Sequence, residues 1–350
     1  MNQAYQSIIN ASAEDQRGLF LAAANRLGTT VQNIEKDFWV CWTLDTLFNR
    51  LREGGPRLLF KGGTSLSKGY GLISRFSEDI DVTVFREDIG EAASAGDLEP
   101  LSRKRRSERL DAIKAACQSY INDQLRLELA AIAAQTMKAA GKNPANLEVV
   151  LDENDPDRQS LLIRYPSAVE KTEYVIPSIK IESGAKSALD PHEDKTITPY
   201  LSPDVPGGDV LAVNGVMTID PERTFLDKIL ILHGLTYYFE AKGTLRGDGR
   251  MSRHYYDVHR LMAAPVGEKA CTDNALIEDC VRHAKMFFYR GNTGLGAAAR
   301  GSFRLQPNRE MLEPLRRDYS AMATMIFGEV PTFEQVLASV ARAEERLNSV

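Results

Sequence analysis

Apolar residues at helical spacing mark the first part of the chain. Ile34, Phe38 and Trp42 recur at intervals of four residues, so that residues 12–51 are predicted to be helical with one buried stripe. The helical pattern stops before Gly54-Gly55-Pro56, a run that is typical of a turn. The chain therefore begins with helix and changes direction near residue 55.

A short apolar run at residues 58–60 leads directly into Lys61-Gly62-Gly63-Thr64-Ser65. This pattern predicts a strand that enters a tight turn, followed by a short helix over residues 66–73. Apolar and polar residues then alternate over residues 79–84, which is the period of a strand with one buried face. Asp79 and Asp81 are two positions apart and therefore project from the same side of that strand.

The rest of the chain divides into a mixed middle and a helical end. Residues 101–140 are rich in Ala, Leu, Lys, Arg and Glu, which predicts one long helix or two. Further strands of the same sheet are predicted at residues 147–151, 161–165 and 178–182. Helices are predicted at residues 221–238, 252–262, 275–289, 309–327 and 333–349. Between them, the proline-containing residues 184–215 show little periodicity and are interpreted as the crossing between two lobes.

These elements predict an α+β fold, with a mixed sheet flanked by helices and a mainly helical C-terminal lobe. We place the lobes at residues 1–215 and 216–350, because single cores stop growing near ~250–300 residues. Hydrophobic residues make up 43% of the chain and charged residues 26%, the balance of a globular protein. No apolar run approaches the ~20 residues of a membrane span, and no signal peptide pattern begins the chain, so we expect a cytoplasmic protein.

Four cysteines are scattered along the chain without Cys-x-x-Cys spacing. This distribution argues against both a zinc site and a disulfide framework, and we expect buried thiols. The residues are Cys41, Cys117, Cys271 and Cys280.

The net charge of −5 means that nucleic acid would have to bind through local basic patches. One patch lies within residues 103–109, and a second is the glycine-rich loop over residues 242–250 with the start of the next helix. The alternative interpretation of both is a solvated surface. The candidate RNA-binding residues are Arg103, Arg105, Arg106, Arg246, Arg250 and Arg253.

The order of the glycine turn and the acidic strand suggests a chemistry. Glycines let the backbone approach a triphosphate, and amides at a helix start attract its charge. The candidate nucleotide-binding residues are therefore Lys61, Gly62, Gly63, Thr64 and Ser65. Asp79 and Asp81 suit Mg²⁺ or Mn²⁺, and two such ions about 3.5–4 Å apart activate an attacking oxygen and stabilise leaving pyrophosphate. A P-loop ATPase is excluded, because no G-x-x-x-x-G-K-[ST] run is present.

Several motifs together resemble the AbiEii/AbiGii nucleotidyltransferase toxin family, of the DNA polymerase β-like nucleotidyltransferase superfamily. The resemblance extends over residues 34–261. The matching runs are Ile34-Glu35-Lys36-Asp37-Phe38-Trp39-Val40, Lys61-Gly62-Gly63-Thr64-Ser65-Leu66, Arg75-Phe76-Ser77-Glu78-Asp79-Ile80-Asp81, Asp220-Pro221-Glu222-Arg223-Thr224-Phe225-Leu226-Asp227-Lys228 and Ser252-Arg253-His254-Tyr255-Tyr256-Asp257.

The resemblance implies a bilobed, metal-dependent enzyme of a type IV-like toxin–antitoxin or abortive-infection system that acts in phage defence. Its expected reaction is transfer of NMP from an NTP to RNA, at the 3′ end of tRNA, which blocks translation. The expected partner is an antitoxin with a winged-helix DNA-binding domain. Two alternatives stay open, namely transfer of NMP to a protein hydroxyl and a catalytically inactive nucleotide- or RNA-binding module.

The resemblance also implies further site residues. Glu182 is the expected third carboxylate, for metal ligation, general base catalysis or both; the alternative is a solvent-facing strand residue. Lys228 is expected to bind the triphosphate; the alternative is a lysine whose stem covers the core. Asp257 is expected to orient Lys228 or the nucleotide; the alternative is an intrahelical ion pair with Arg253.

Overall fold

The computed structural model describes residues 3–169, 177–245, 249–289, 291 and 293–349, so that Arg246 lies outside the described residues. The chain forms two compact units. Unit 1 consists of Met1–Gly69, Phe76–Ala93 and Ser107–Thr218, and unit 2 of Tyr70–Arg75, Ser94–Arg106 and Ile219–Val350. The functional division into lobes at residue 215 stays a prediction.

The stretch predicted as helical, residues 12–51, is divided into two helices, and a further helix that was not predicted precedes it. The first four helices are α1 (Gln3–Asn10), α2 (Ala13–Leu27), α3 (Val31–Asn49) and α4 (Gly62–Lys68). Gly28 separates α2 from α3 because it adopts φ +65° and ends α2, and the Thr30 side chain then accepts from the amide of Asn33 to cap α3. Helix α4 was predicted over residues 66–73; it begins within the glycine turn instead and ends at Lys68.

Seven described strands form one mixed sheet. They are β1 (Leu58–Lys61), β2 (Ile80–Val84), β3 (Glu148–Leu151), β4 (Ser160–Arg164), β5 (Ser178–Gly184), β6 (His192–Ile197) and β7 (Val213–Ile219). Their order is β3-β4-β5-β2-β1-β7-β6, in which β1 and β2 are antiparallel and β2 and β5 are parallel. Strands β1 to β5 were predicted, whereas β6 and β7 were not. Strand β6 lies within residues 184–215, where its exposed polar residues conceal the alternation.

The stretch predicted as one long helix or two is a continuous helix with an irregular middle. Helix α6 (Arg103–Ser119) passes through a π-helical segment, Tyr120–Leu125, into α7 (Arg126–Ala139). A short helix, α5 (Ala95–Leu98), precedes it and is closed by a capping box between Ser94 and Asp97. Helix α7 packs on β3 at one edge of the sheet and contacts α1 and α3.

Unit 2 is mainly helical, as predicted for the second half of the chain. Its helices are α8 (Pro221–Lys242), α9 (Ser252–Met262), α10 (Pro265–Thr272), α11 (Asn274–Phe287), α12 (Arg309–Met322) and α13 (Phe333–Asn348). The predicted start and end of α9 coincide with the observed ones. Of these helices, α10 was not predicted, since eight residues are too few for a clear apolar period; the short α5, which also belongs to unit 2, was not predicted either. Helix α9 packs against α8, α10, α12 and α13 and is the centre of this unit.

Two expectations from composition concern the core and the membrane. Cys41, Cys117, Cys271 and Cys280 are buried and unbridged, as predicted. Across the described residues, no helix combines the length and the apolar composition needed to cross a bilayer.

Candidate active site

One group of candidate site residues is the contact between the glycine turn and the acidic strand, both in unit 1. Gly62 opens α4 with φ +80°, a conformation that residues with a Cβ rarely adopt. A Cβ at this position would overlap the Asp81 carboxylate and lie 2.7 Å from its Cγ. The absence of a side chain at residue 62 therefore makes room for Asp81.

Thr64 fixes the same turn to the chain that enters β2. Its Oγ1 donates to the carbonyl oxygen of Asp79 and lies 2.8 Å from Ser77 Oγ, while Ser65 Oγ donates to the carbonyl oxygen of Gly62 at 2.9 Å. Thr64 and Ser65 are buried. Their hydroxyls hold the turn in place, and the half-buried Lys61 precedes it at the end of β1.

Glu182 stands beside Asp81 on the neighbouring strand. The two residues are register partners in the parallel pairing of β2 with β5, and Ile181 is buried on the opposite face, as alternation predicted. Lys180 Nζ lies 2.8 Å from Glu182 Oε1 and also pairs with Asp152. Lys180 therefore competes with any cation for the Glu182 carboxylate.

Negative charge accumulates around Asp79. Burial, followed by the nearby carboxylates of Glu78, Glu182 and Asp81, raises the pKa of Asp79 from 3.8 to about 6, against the opposing charge of Lys36. Oxygen ligands under mutual repulsion are the donor set that Mg²⁺ or Mn²⁺ prefers, so the residues fit such an ion. Within the described parts of the chain, no three His, Cys, Asp or Glu side chains form a ready-made ion site.

Three consecutive charged residues of α3 were not predicted as part of the site. Glu35, Lys36 and Asp37 are each less than 9% exposed. Glu35 accepts from Ser167 Oγ and from the amide of Ala168, both at 2.6 Å, just beyond β4. Because residues 166–169 lead from β4 toward β5, Glu35 fixes the chain on the side of the sheet that carries Glu182.

Lys36 and Asp37 bind two further segments, which are the chain that enters β2 and the end of α4. Lys36 forms an ion pair with Glu78, next to Asp79. Asp37 Oδ1 lies 2.6 Å from Lys68 Nζ at the end of α4, and both side chains are at most 3% exposed. The signal in the sequence was a charged run on an otherwise apolar helix, since buried charges occur almost only where they are paired.

A separate group of candidate residues is an ion cluster within unit 2. Arg75 donates to both carboxylate oxygens of Asp257, at 2.8 and 2.9 Å, and Lys228 Nζ lies 2.7 Å from Asp257 Oδ2. All three side chains are buried. Burial opposes ionisation of Asp257, but Arg75 and Lys228 together hold its pKa well below the ordinary value. Asp257 therefore orients Lys228, and the predicted alternative of a pairing with Arg253 is not observed.

The predicted RNA-binding residues differ in their availability. Arg103 and Arg105 are exposed on the first turn of α6. Arg106 is half-buried and donates to the carbonyl oxygens of Leu98, Glu99 and Leu101, so it stabilises the end of α5 instead. Arg250 is exposed, whereas Arg253 is half-buried and its Nε has no hydrogen-bond partner.

A mixed sheet on which a glycine-opened helix follows one strand and paired acids lie on the next defines the class of nucleotidyltransferases. Comparison with known families is consistent with this class. The model of the family described as "Nucleotidyl transferase AbiEii toxin, Type IV TA system" matches residues 45–339. The chain therefore belongs to the AbiEii nucleotidyltransferase toxin family.

A solved structure supports the fold assignment. MenT4, a nucleotidyltransferase toxin from Mycobacterium tuberculosis H37Rv, is similar with a TM-score of 0.50 and 16% sequence identity, over 95% of this chain and 90% of that chain. This likeness confirms the predicted fold class. No curated protein sequence matches the chain.

Replacement of Gly62 tests the contact with Asp81. We expect Gly62→Ala to displace the Asp81 carboxylate and to reduce nucleotide transfer about 100-fold, with a stability loss of about 1–2 kcal/mol from the positive φ. Gly90→Ala is the matched control, because Gly90 has φ +77° with nothing within 4 Å of a Cβ. Equal activity of the two variants would show that the contact does not matter for transfer.

The crowding of carboxylates around Asp79 has a consequence for stability. Because the folded-state pKa is about 6 and the ordinary value is 3.8, the folded protein retains this proton as the pH rises from about 4 to 6. The stability that this proton contributes is therefore lost as the pH rises through this window, and above it the ionised carboxylate leaves the fold less stable. We therefore compare the melting temperatures of Asp79→Asn and wild type in EDTA. The value for Asp79→Asn minus that for wild type should be about 2 °C larger at pH 7.5 than at pH 4.

The exposed Asp194 of β6 provides the control for this measurement. Asp194→Asn should show no comparable change in its difference from wild type over the same pH range. A constant difference between Asp79→Asn and wild type at both pH values would contradict the electrostatic account.

Proposed function

We propose that this protein transfers NMP from an NTP to a hydroxyl of RNA, with the 3′ end of tRNA as the acceptor, and thereby blocks translation. The observation that carries the proposal is the placement of Asp81 against Gly62 and in register with Glu182. An acid pair beside a glycine-opened helix has a direct chemical use in nucleotide transfer. Membership of a nucleotidyltransferase toxin family supports the same reaction.

In the proposed reaction, the acceptor oxygen forms a bond to the α-phosphorus, and the bond from that phosphorus to the leaving oxygen breaks. Pyrophosphate leaves, and the hydroxyl proton passes to a carboxylate, for which Glu182 is the candidate. In unit 1, the amides from Gly62 to Ser65 are the candidates for binding the triphosphate. In unit 2, Lys228 is the candidate that offers a positive charge to phosphate oxygens. Lys61 adds positive charge at the start of α4.

Asp79, Asp81 and Glu182 would hold Mg²⁺ or Mn²⁺. When bound, the metal would neutralise phosphate charge and make the attacking oxygen more nucleophilic. Glu182 would join the set only by giving up its contact with Lys180. Two of the acids lie close together, and the third is held by Lys180. This arrangement is consistent with metal binding that is completed only when the nucleotide arrives.

Family membership implies an antitoxin partner; we propose that this partner carries a winged-helix DNA-binding domain. For RNA, the exposed Arg103, Arg105 and Arg250 are the stronger candidates, and Arg106 contributes through the position of α5. Transfer to a protein hydroxyl is the second candidate activity, because the same chemistry serves any hydroxyl acceptor.

The acceptor is tested by supplying each labelled NTP in turn with Mg²⁺ and total cellular RNA. We expect label on RNA, no reaction in excess EDTA, and at least about a 100-fold loss in Asp81→Ala with an unchanged circular dichroism spectrum. Label on protein alone would establish the second candidate. Full turnover by folded Asp81→Ala protein would exclude the acid pair from the reaction.

Lys228 and Asp257 should respond differently to substitution. Lys228→Met leaves Asp257 paired with Arg75, so we expect a nearly normal melting temperature together with loss of transfer and a raised KM for NTP. Asp257→Asn leaves two buried cations without a counter-charge and should cost about 3–5 kcal/mol of stability. If Lys228→Met transferred nucleotide at the wild-type rate, Lys228 would serve only as a counterion of Asp257.

A further inference from the structure

A cavity of about 520 Å³ lies in unit 2 between α9, α13 and the chain that precedes α13. It is distinct from the Lys228 ion cluster, although α9 contributes to both. The cavity lies within the size range of small-molecule sites in proteins. The polar residues that line it are His259, Arg260, Glu329, Gln335, Ser339 and Arg342.

Two basic side chains meet at one hydroxyl in this cavity. His259 Nδ1 lies 2.9 Å from Ser339 Oγ, and Arg342 donates to the same oxygen from Nη2 at 3.0 Å. Arg260 follows His259 on α9 and lines the same cavity. Burial, and then the positive charges of Arg260 and Arg342, lower the pKa of His259.

The two arginines have no acidic partner. Among the described residues, neither Arg260 nor Arg342 forms an ion pair, and Arg260 Nε is buried without an acceptor. Glu329 lines the cavity but is exposed and contacts neither guanidinium group. Six other arginines of unit 2 do pair with acids, namely Arg75, Arg223, Arg282, Arg304, Arg316 and Arg346.

We propose that this cavity binds a phosphate group through Arg260, Arg342 and His259. Two guanidinium groups, an imidazole and a hydroxyl offer more donors than the two oxygens of a carboxylate accept, whereas a phosphate presents three or four oxygens. The phosphate belongs to an RNA backbone or to a free nucleotide. None of the proposed catalytic acids lines this cavity, so its occupancy can be measured without turnover.

The cavity is connected to the Lys228 cluster inside unit 2. Arg260 Nη2 donates to Ser74 Oγ at 3.3 Å, and the carbonyl oxygen of Ser74 accepts from the amide of Phe327 at 2.7 Å. Ser74 directly precedes Arg75, the residue that holds Asp257. Arg260, a proposed phosphate ligand, therefore also contacts the residue next to Arg75, whose partner Asp257 holds Lys228.

The test uses the full-length protein in EDTA and follows the imidazole signals by NMR during titration with inorganic phosphate, AMP and a short RNA. The His259 signal is assigned with His259→Gln. We expect this signal to shift on binding and its pKa to rise, because a bound anion offsets Arg260 and Arg342. Arg342→Gln should weaken the binding about tenfold, and Arg260→Gln by a similar factor.

Arg317→Gln is the matched control, since Arg317 is an exposed arginine on α12 and its replacement should leave the affinity unchanged. Saturation by RNA alone would identify the phosphate as that of a backbone, and saturation by AMP as that of a nucleotide. Binding of inorganic phosphate, but of neither AMP nor RNA, would show that the cavity is a simple anion site. The proposal is overturned if His259 responds to none of the three, or if both arginine variants bind as the wild type does.

Discussion

The burial of three consecutive charges on α3 is the constraint on which the arrangement of unit 1 depends. Glu35, Lys36 and Asp37 cannot lose water without partners, because an isolated buried charge costs several kcal/mol. Each finds its partner on a different segment: the chain after β4, the approach to β2, and α4. One turn of helix thus fixes the distances between the segments that carry Glu182, Asp79 and the glycine turn.

The pair between Asp37 and Lys68 is the most enclosed of these contacts. Lys68 also donates to the carbonyl oxygen of Thr198 at 2.8 Å and lies 3.7 Å from the centre of the Tyr200 ring, while the amide of Tyr200 donates to Asp37. The ammonium group of Lys68 and the carboxylate of Asp37 thus each have further polar partners besides one another, as a buried ion pair requires. They also connect α4 with the chain between β6 and β7, so the end of the glycine-opened helix has little freedom to move.

The two units place charge in opposite ways. In unit 1, acids gather without enough positive charge to neutralise them, and the raised pKa of Asp79 is the result. In unit 2, Asp257 is neutralised by two cations, and its pKa falls. The first arrangement favours binding of a cation. The second stabilises the fold and holds Lys228 in one orientation.

The sequence by itself determined the elements and the reactive pair. Alternation over residues 79–84 placed Asp79 and Asp81 on one side of a strand, and helical periodicity found α9 and α13, because these patterns depend only on local backbone geometry. It also indicated the family, through motifs that combine glycines and acids at fixed spacing. The exposed polar strand β6 and the short helix α10 were not predicted, since neither shows an apolar period.

Only the tertiary structure decided which charges meet. Residues far apart in sequence form the pairs of Asp37 with Lys68 and of Asp257 with Arg75 and Lys228, and no local pattern specifies such partners. For the same reason, Arg106 was predicted to bind RNA together with the exposed Arg103 and Arg105, and an ion pair between Arg253 and Asp257 was an open alternative. Their actual contacts depend on how the helices pack, because an ion pair forms where burial brings opposite charges together.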